Sequence, residues 1–131
     1  MTKLLVVIHI YYHEQVDYFI SKLKNINGCE WDLTVTCSRN NEATVRKIQS
    51  IKPDAEFMHV ENCGYDVWPF IQAIKARDLS SYSLVMKLHT KNVDNFKWKI
   101  NGLKLSGERW RDLLVDSMLR SEEQFAECLK T

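Results

Sequence analysis

Two hydrophobic patterns alternate along the chain. Residues 3–10 form a nearly continuous, β-branched apolar run, which is typical of a strand covered on both faces of a parallel sheet. The apolar residues Val16, Phe19, Ile20 and Leu23 then recur at helical spacing and predict one buried helix face. This alternation continues and predicts strands near residues 3–10, 31–37, 55–60 and 82–88, with helices between them.

The order of these elements predicts the fold class. A second helix is expected from about Glu42 to Ser50, and a third carries the apolar stripe that begins at Val67. A β-α-β-α-β-α-β order is typical of a three-layer α/β/α fold with a mostly parallel, Rossmann-like sheet. Residues 92–108 are polar and weakly periodic, so we expect a long loop there, followed by helices that begin near Trp110 and around Phe125.

Composition narrows the class of protein. At 131 residues, with 45% hydrophobic and 27% charged residues, the chain fits a single globular α/β domain over 1–131. The formal net charge of +1 gives no signal for nucleic acid. No apolar run reaches the length of a membrane span, although work beside a membrane stays open. The four cysteines lack a Cys-x-x-Cys spacing, so we expect reduced thiols and a cytoplasmic location; the oligomeric state is left open.

In an open parallel sheet, ligands bind beyond the carboxyl ends of the strands. The first such place carries His9, Tyr11 and Tyr12, whose rings could stack on a base or a sugar. The alternative is that Tyr11, Tyr12 and His13 are partly buried loop residues and the cap of the first helix.

The segment after the third strand, residues 62–66, is a second candidate. Gly64 permits a tight turn, and Asp66 lies where the N-cap of the third helix is expected. Asp66 could accept hydrogen bonds from a sugar hydroxyl or act as a base, and we take Asn62 and Gly64 as substrate-binding candidates beside it. Capping of its own helix is an equally simple role for Asp66.

The segment after the fourth strand is richest in cations. Strand alternation puts Lys87 and His89 on one face and leaves Lys91 just beyond the strand end. Cations buried at the end of a central strand are costly unless they meet an anion, and a diphosphate suits them. We take His89 with Asp66 as catalytic candidates, and Lys87, Thr90 and Lys91 as substrate-binding ones. The alternative is an ion pair from Lys87 to Asp66 or to a nearby Glu, with His89 and Thr90 capping the strand.

Several familiar sites are absent from the sequence. Neither Gly-x-Gly-x-x-Gly nor Gly-x-x-x-x-Gly-Lys-Ser/Thr occurs, and no Gly-x-Ser-x-Gly elbow supports a hydrolase. No paired carboxylates stand at a strand end, and the histidines lack ligand spacing, so we predict no metal site and no cofactor, with a divalent cation left as an open alternative.

Four segments, taken in chain order, resemble the rhamnan synthesis F family. They are Val-Val-Ile-His-Ile-Tyr-Tyr at 6–12, Trp-Asp-Leu-Thr-Val-Thr at 31–36, Asn-Cys-Gly-Tyr-Asp-Val-Trp-Pro-Phe at 62–70 and Leu-Val-Met-Lys-Leu-His-Thr-Lys at 84–91. The resemblance implies polysaccharide or lipopolysaccharide assembly by a glycosyltransferase. The layout is also similar to the N-terminal half of a GT-A nucleotide-sugar transferase.

The resemblance gives the candidates provisional roles. His9, Tyr11 and Tyr12 would face the nucleotide; Asn62, Gly64 and Asp66 the sugar or ribose; Lys87, His89 and Lys91 the diphosphate. The donor would be a nucleoside-diphosphate sugar, rhamnose for example, and the acceptor a glycan. GT-A enzymes normally carry the metal-binding Asp-x-Asp where this chain has His89-Thr90-Lys91, so fixed positive charge could stand in for the metal. Because a GT-A domain needs further strands for the acceptor, we expect a piece of a longer protein. A non-catalytic binding or assembly module is the alternative.

Overall fold

Four parallel strands form the centre of the molecule. Our computed structural model describes residues 2–39, 41–61, 67–90, 97–100 and 103–130. The strands β1 (Lys3–Ile10), β2 (Glu30–Cys37), β3 (Glu56–His59) and β4 (Leu84–His89) lie in the order β3-β2-β1-β4. Between them run the helices α1 (Val16–Leu23), α2 (Glu42–Ile51) and α3 (Val67–Lys75). The predicted α/β/α fold with a parallel sheet is confirmed.

The two faces of β1 are buried against different layers. Its residues from Leu4 to Ile10 are all buried, as its continuous apolar run predicts. Leu4, Val6, Ile8 and Ile10 pack into the larger core with the apolar stripe of α1 and with Ile48 of α2. Leu5 and Val7 pack on the opposite face with Ala73 of α3. The sheet therefore separates α1 and α2 from α3.

Local signals set the helix ends. The Asn41 side chain accepts a hydrogen bond from the Thr44 amide, which caps the amino end of α2. After α1 the chain reaches Gly28, whose φ of 73° is the left-handed conformation that glycine adopts without strain. The Asn41 cap fits the start of α2 that the sequence predicts near Glu42, whereas α1 ends at Leu23, well before Gly28.

The predicted loop over residues 92–108 was wrong in part. It contains the antiparallel pair β5 (Lys97–Ile100) and β6 (Leu103–Ser106), and the next helix, α4, begins at Gly107. Each strand alternates polar and apolar residues on either side of the dipeptide Asn101-Gly102, which is a strong hairpin signal. The lysines in these strands make the segment resemble a loop in composition.

A second correction concerns β4. The sequence predicted a central strand, in which the apolar Val85 would be covered. Among the described strands it lies at the edge, beside β1 alone, and Val85 is 43% exposed. An edge strand has a neighbour on one side only, which leaves more of its side chains exposed to solvent.

The helix α4 (Gly107–Leu119) packs alongside α1 in the same direction. Lys22 forms an ion pair with Asp116, with its Nζ 2.7 Å from Oδ1, and the Asn25 amide donates to the Leu119 carbonyl. Near the start of both helices, the Arg111 guanidinium stacks 3.7 Å from the centroid of the Tyr18 ring. The final helix, α5 (Glu122–Lys130), buries Phe125 in the same core.

Two further sequence predictions can be compared with the described residues. None of the cysteines placed there, Cys29, Cys37 and Cys128, forms a disulfide. In the same part of the chain, every helix is too short or too polar to cross a bilayer.

Candidate binding site at the carboxyl edge of the sheet

The order of the strands creates a crevice between β1 and β4. The chain builds β1, β2 and β3 outward in one direction and then returns to the other side of β1 to form β4. The order in which the strands are added therefore reverses between β1 and β4. Ligands of open α/β sheets bind at this kind of switch point.

Two histidines lie side by side at this crevice. His9 of β1 and His89 of β4 are register partners, and strand alternation puts both on the face that α3 covers. His9 is only 7% exposed, and its Nδ1 is 2.9 Å from the Thr36 hydroxyl of β2. His89 is half-buried, with its Nδ1 3.2 Å from the Thr90 carbonyl oxygen. Three hydrogen-bonding side chains therefore lie in one row across β2, β1 and β4: Thr36, His9 and His89.

Thr90 joins the ends of β1 and β4. Its hydroxyl accepts hydrogen bonds from the backbone amides of Tyr11 and Tyr12, at 3.1 and 3.2 Å, and its own amide donates to the His9 carbonyl. Thr90 is 7% exposed. The sequence suggested that Thr90 binds substrate, and both hydrogen bonds described for its hydroxyl are to the backbone of the segment that follows β1.

The tyrosines present an aromatic surface. Tyr11 is 37% exposed, and its ring meets that of Tyr12 edge to face with centroids 4.8 Å apart. The Arg39 guanidinium lies 6.0 Å from the centroid of the Tyr11 ring. Arg39 was not singled out from the sequence, because a lone arginine in a loop carries no motif.

His13 closes the same segment against α2. Its Nδ1 is 2.8 Å from the buried Thr44 hydroxyl. Burial lowers the pKa of His13 below the ordinary 6.5; the charge of Glu14 opposes this and that of Arg39 adds to it. The neutral imidazole is therefore the form that the folded protein favours.

Lys87 shares the α3 face with His89. It is partly buried, and its Nζ lies 6.0 Å from the centroid of the Phe70 ring of α3. The apolar stem of Lys87 thus follows the sheet while its charge stays near the carboxyl edge.

A cleft of about 470 Å³ opens beside the crevice, at the carboxyl ends of β2 and β3. Its apolar wall is formed by Val45, Phe57 and Met58. Its polar lining consists of Cys37, Asn41, Glu42, Arg46 and His59. Burial raises the pKa of Cys37, so its thiol stays protonated at neutral pH. The sequence gave no sign of the wall that β3 supplies.

The structure thus brings together six of the ten predicted site residues. His9, Tyr11, Tyr12, Lys87, His89 and Thr90 lie around the ends of β1 and β4. Asn62, Gly64, Asp66 and Lys91 lie outside the described residues. Within the described part of the chain, no three His, Cys, Asp or Glu side chains are grouped closely enough to hold one metal ion.

Fold and crevice define a class: a doubly wound α/β domain with a candidate ligand site at the β1/β4 switch point. The chain belongs to the rhamnan synthesis protein F family, whose model matches residues 1–130. The family resemblance seen in the sequence is thereby confirmed, and membership implies a role in rhamnan or polysaccharide synthesis. Comparisons with curated proteins and with solved structures gave no match.

Proposed function

We propose that this domain binds a nucleoside-diphosphate sugar at the β1/β4 crevice and transfers the sugar to a growing surface glycan, with rhamnose as the first candidate. The observation that carries the proposal is the joined carboxyl end of β1 and β4, where Tyr11, His9, His89 and Lys87 meet at a switch point. Family membership supports the glycan acceptor.

The spacing of the strands supports a ligand with a nucleoside at one end and phosphates at the other. Two strand intervals, about 10 Å, separate the β1/β4 crevice from the β2/β3 cleft. Because the cleft opens on the α2 side and Lys87 and His89 lie on the α3 face, a nucleoside diphosphate would have to pass over the ends of the strands to reach both. Its base would contact the apolar wall at Phe57, and its ribose would pass Tyr11. Its phosphates would then reach Lys87 and His89.

We also propose that fixed cations replace a divalent metal. GT-A enzymes hold their metal with carboxylates, and the end of β4 has His89 and the buried Thr90 instead. These side chains do not fit a Mg²⁺ or Mn²⁺ site, because such ions prefer oxygen ligands that carry charge. Positive side chains can stabilise a departing diphosphate by charge alone. Activity that a chelator abolishes and Mn²⁺ restores would refute this part.

Roles for the remaining candidates follow from the sequence. Asp66 would act as the base or bind a sugar hydroxyl, with Asn62 and Gly64 beside it, and Lys91 would add charge at the diphosphate. His89 would protonate or orient the departing phosphate. These assignments stay predictions until each residue is replaced.

The test is a binding experiment on the 131-residue chain with ADP, GDP, UDP and dTDP. We expect at least one to bind, and Lys87→Ala to weaken it about tenfold, or 1.4 kcal/mol, through the lost charge. Lys75→Ala, an exposed lysine at the other end of α3, is the matched control and leaves the affinity unchanged. Indifference of the wild-type chain to all four nucleotides would count against donor binding.

One observation favours the second candidate, a non-catalytic assembly module. Apolar side chains are exposed on the edge strand β4 at Leu84 and Val85, and on α3 at Val67 and Trp68. Exposed apolar patches mark surfaces that pack against another domain. Binding of nucleotides without sugar turnover, in the full-length protein, would favour this role.

A further inference from the structure

Three buried threonine hydroxyls converge on the short segment from His9 to His13. Thr36 of β2 bonds to the His9 ring, Thr44 of α2 bonds to the His13 ring, and Thr90 accepts from two amides between them. All three threonines are buried. Three different elements thus hold one segment at the edge of the candidate site.

Thr90 has the most demanding role of the three. At the end of β1 the backbone leaves the sheet ladder, and its amides need other acceptors. A hydroxyl oxygen has two lone pairs, and the amides of Tyr11 and Tyr12 occupy both. Removing this one oxygen would take from two partly buried amides the acceptor that they share.

The segment that Thr90 holds is the one that presents the aromatic surface. The edge-to-face pairing of Tyr11 with Tyr12 and the position of Arg39 over Tyr11 all depend on the course of this backbone. A ring held in place before binding gives higher affinity, because no conformational freedom is lost on association.

We infer that Thr90 is a positioning residue, which fixes Tyr11 and Tyr12 so that the Tyr11 ring can stack on the nucleoside part of the donor. The inference rests on the proposed function for the identity of the ligand. The hydrogen bonds from the two amides to Thr90 do not depend on it.

The experiment compares Thr90→Val with Thr90→Ser. Val keeps the shape of Thr and removes the oxygen, whereas Ser keeps the oxygen. Isothermal titration with the tightest of ADP, GDP, UDP and dTDP gives the affinity, and amide exchange by NMR follows Tyr11 and Tyr12. We expect Thr90→Val to bind about tenfold more weakly and to exchange both amides about tenfold faster, and Thr90→Ser to stay within about threefold of wild type in both.

Thr34→Val is the matched control. Thr34 is also a buried threonine that accepts two N–H groups, here from Arg77, but it lies one pleat repeat back from the edge. We expect it to lower the stability and leave nucleotide affinity and the two amides unchanged. An equal loss of affinity in both variants would show a general effect of stability and would overturn the inference.

Other outcomes also test the role of Thr90. Unchanged affinity in a folded Thr90→Val variant overturns the inference, and so does exchange of the wild-type Tyr11 and Tyr12 amides at the rate of an unstructured peptide. If Thr90→Val does not fold, Thr90→Cys, a weak acceptor of similar size, takes its place. If the wild-type chain binds none of the four nucleotides, the proposed function fails, while the amide exchange still judges the role of Thr90.

Discussion

Replacing Arg77 with Met tests how the end of α3 is held on the sheet. Arg77 follows α3, and its side chain is 14% exposed. Its Nε and one terminal nitrogen donate to the Thr34 hydroxyl at 3.1 and 3.0 Å, and the other donates to the Tyr82 hydroxyl at 3.0 Å. Asp32 lies 3.8 Å away and completes the cluster. Met keeps much of the volume and removes every donor.

The cost can be worked out contact by contact. Thr34 is 1% exposed, so its oxygen loses charged donors with no water to replace them, at about 1.5–3 kcal/mol. Tyr82 keeps its bond to Asp32, so the lost contact there costs about 0.5–1 kcal/mol. The pair with Glu56 contributes little, because that carboxylate is largely exposed. We expect a loss of about 2–4 kcal/mol in the free energy of unfolding, or roughly 8–16 °C in Tm.

Urea unfolding at pH 7, followed by tryptophan fluorescence, measures this loss. Arg46→Met is the matched control, because the Arg46 side chain is 75% exposed and pairs with Glu42 on the surface of α2. We expect about 0.5 kcal/mol or less there. A free energy for Arg77→Met within about 1 kcal/mol of wild type, at an unchanged m-value, would refute the ranking of these contacts.

Two further predictions concern pH. Folding favours the neutral form of His13, so its contribution to the free energy of unfolding is fully present above pH 6.5, the ordinary pKa, and is lost as the pH falls below it. His13→Gln will therefore flatten the dependence of stability on pH between pH 7 and 5. The change is at most about 1.4 kcal/mol per pH unit. The Tyr82 hydrogen bond lowers the pKa of Asp32 below 3.8, so its contribution is present above that pH and is lost as the pH falls through the lowered pKa. Tyr82→Phe will move acid unfolding to higher pH; an unchanged midpoint in circular dichroism would contradict this.

Local patterns were enough to predict each strand of the sheet and the helices between them. The continuous apolar run of β1 and the apolar stripe of α1 each show which faces of that element are buried. This pattern is local, so it can be read from the sequence of the element alone. Exposure of Val85 could not be predicted, because it depends on which strand lies beside β4. The hairpin of β5 and β6 was predictable from Asn101-Gly102, and its lysines obscured it.

The candidate site was predictable to the level of strand ends and no further. The rule that ligands bind at the carboxyl edge of the sheet pointed to the ends of β1 and β4, and His9 and His89 do lie side by side there. That β4 lies beside β1, and not beside β3, is a property of the whole chain. The roles of Thr36 and Thr44 were also hidden, because a threonine in a strand or in a first helical turn is ordinary and forms no motif.

The contacts of Thr90 change what the Lys-x-His-Thr-Lys segment means. The sequence suggested a cluster of ligand-binding groups, yet its threonine hydroxyl holds the backbone that follows β1, while Lys87 and His89 share the face under α3. Substitutions in this one segment are therefore expected to weaken binding in two different ways. Loss of Lys87 removes charge and leaves the Tyr11 amide protected, whereas loss of the Thr90 hydroxyl releases that amide first and lowers affinity as a consequence. Measuring affinity and amide exchange on the same two variants separates recognition from positioning.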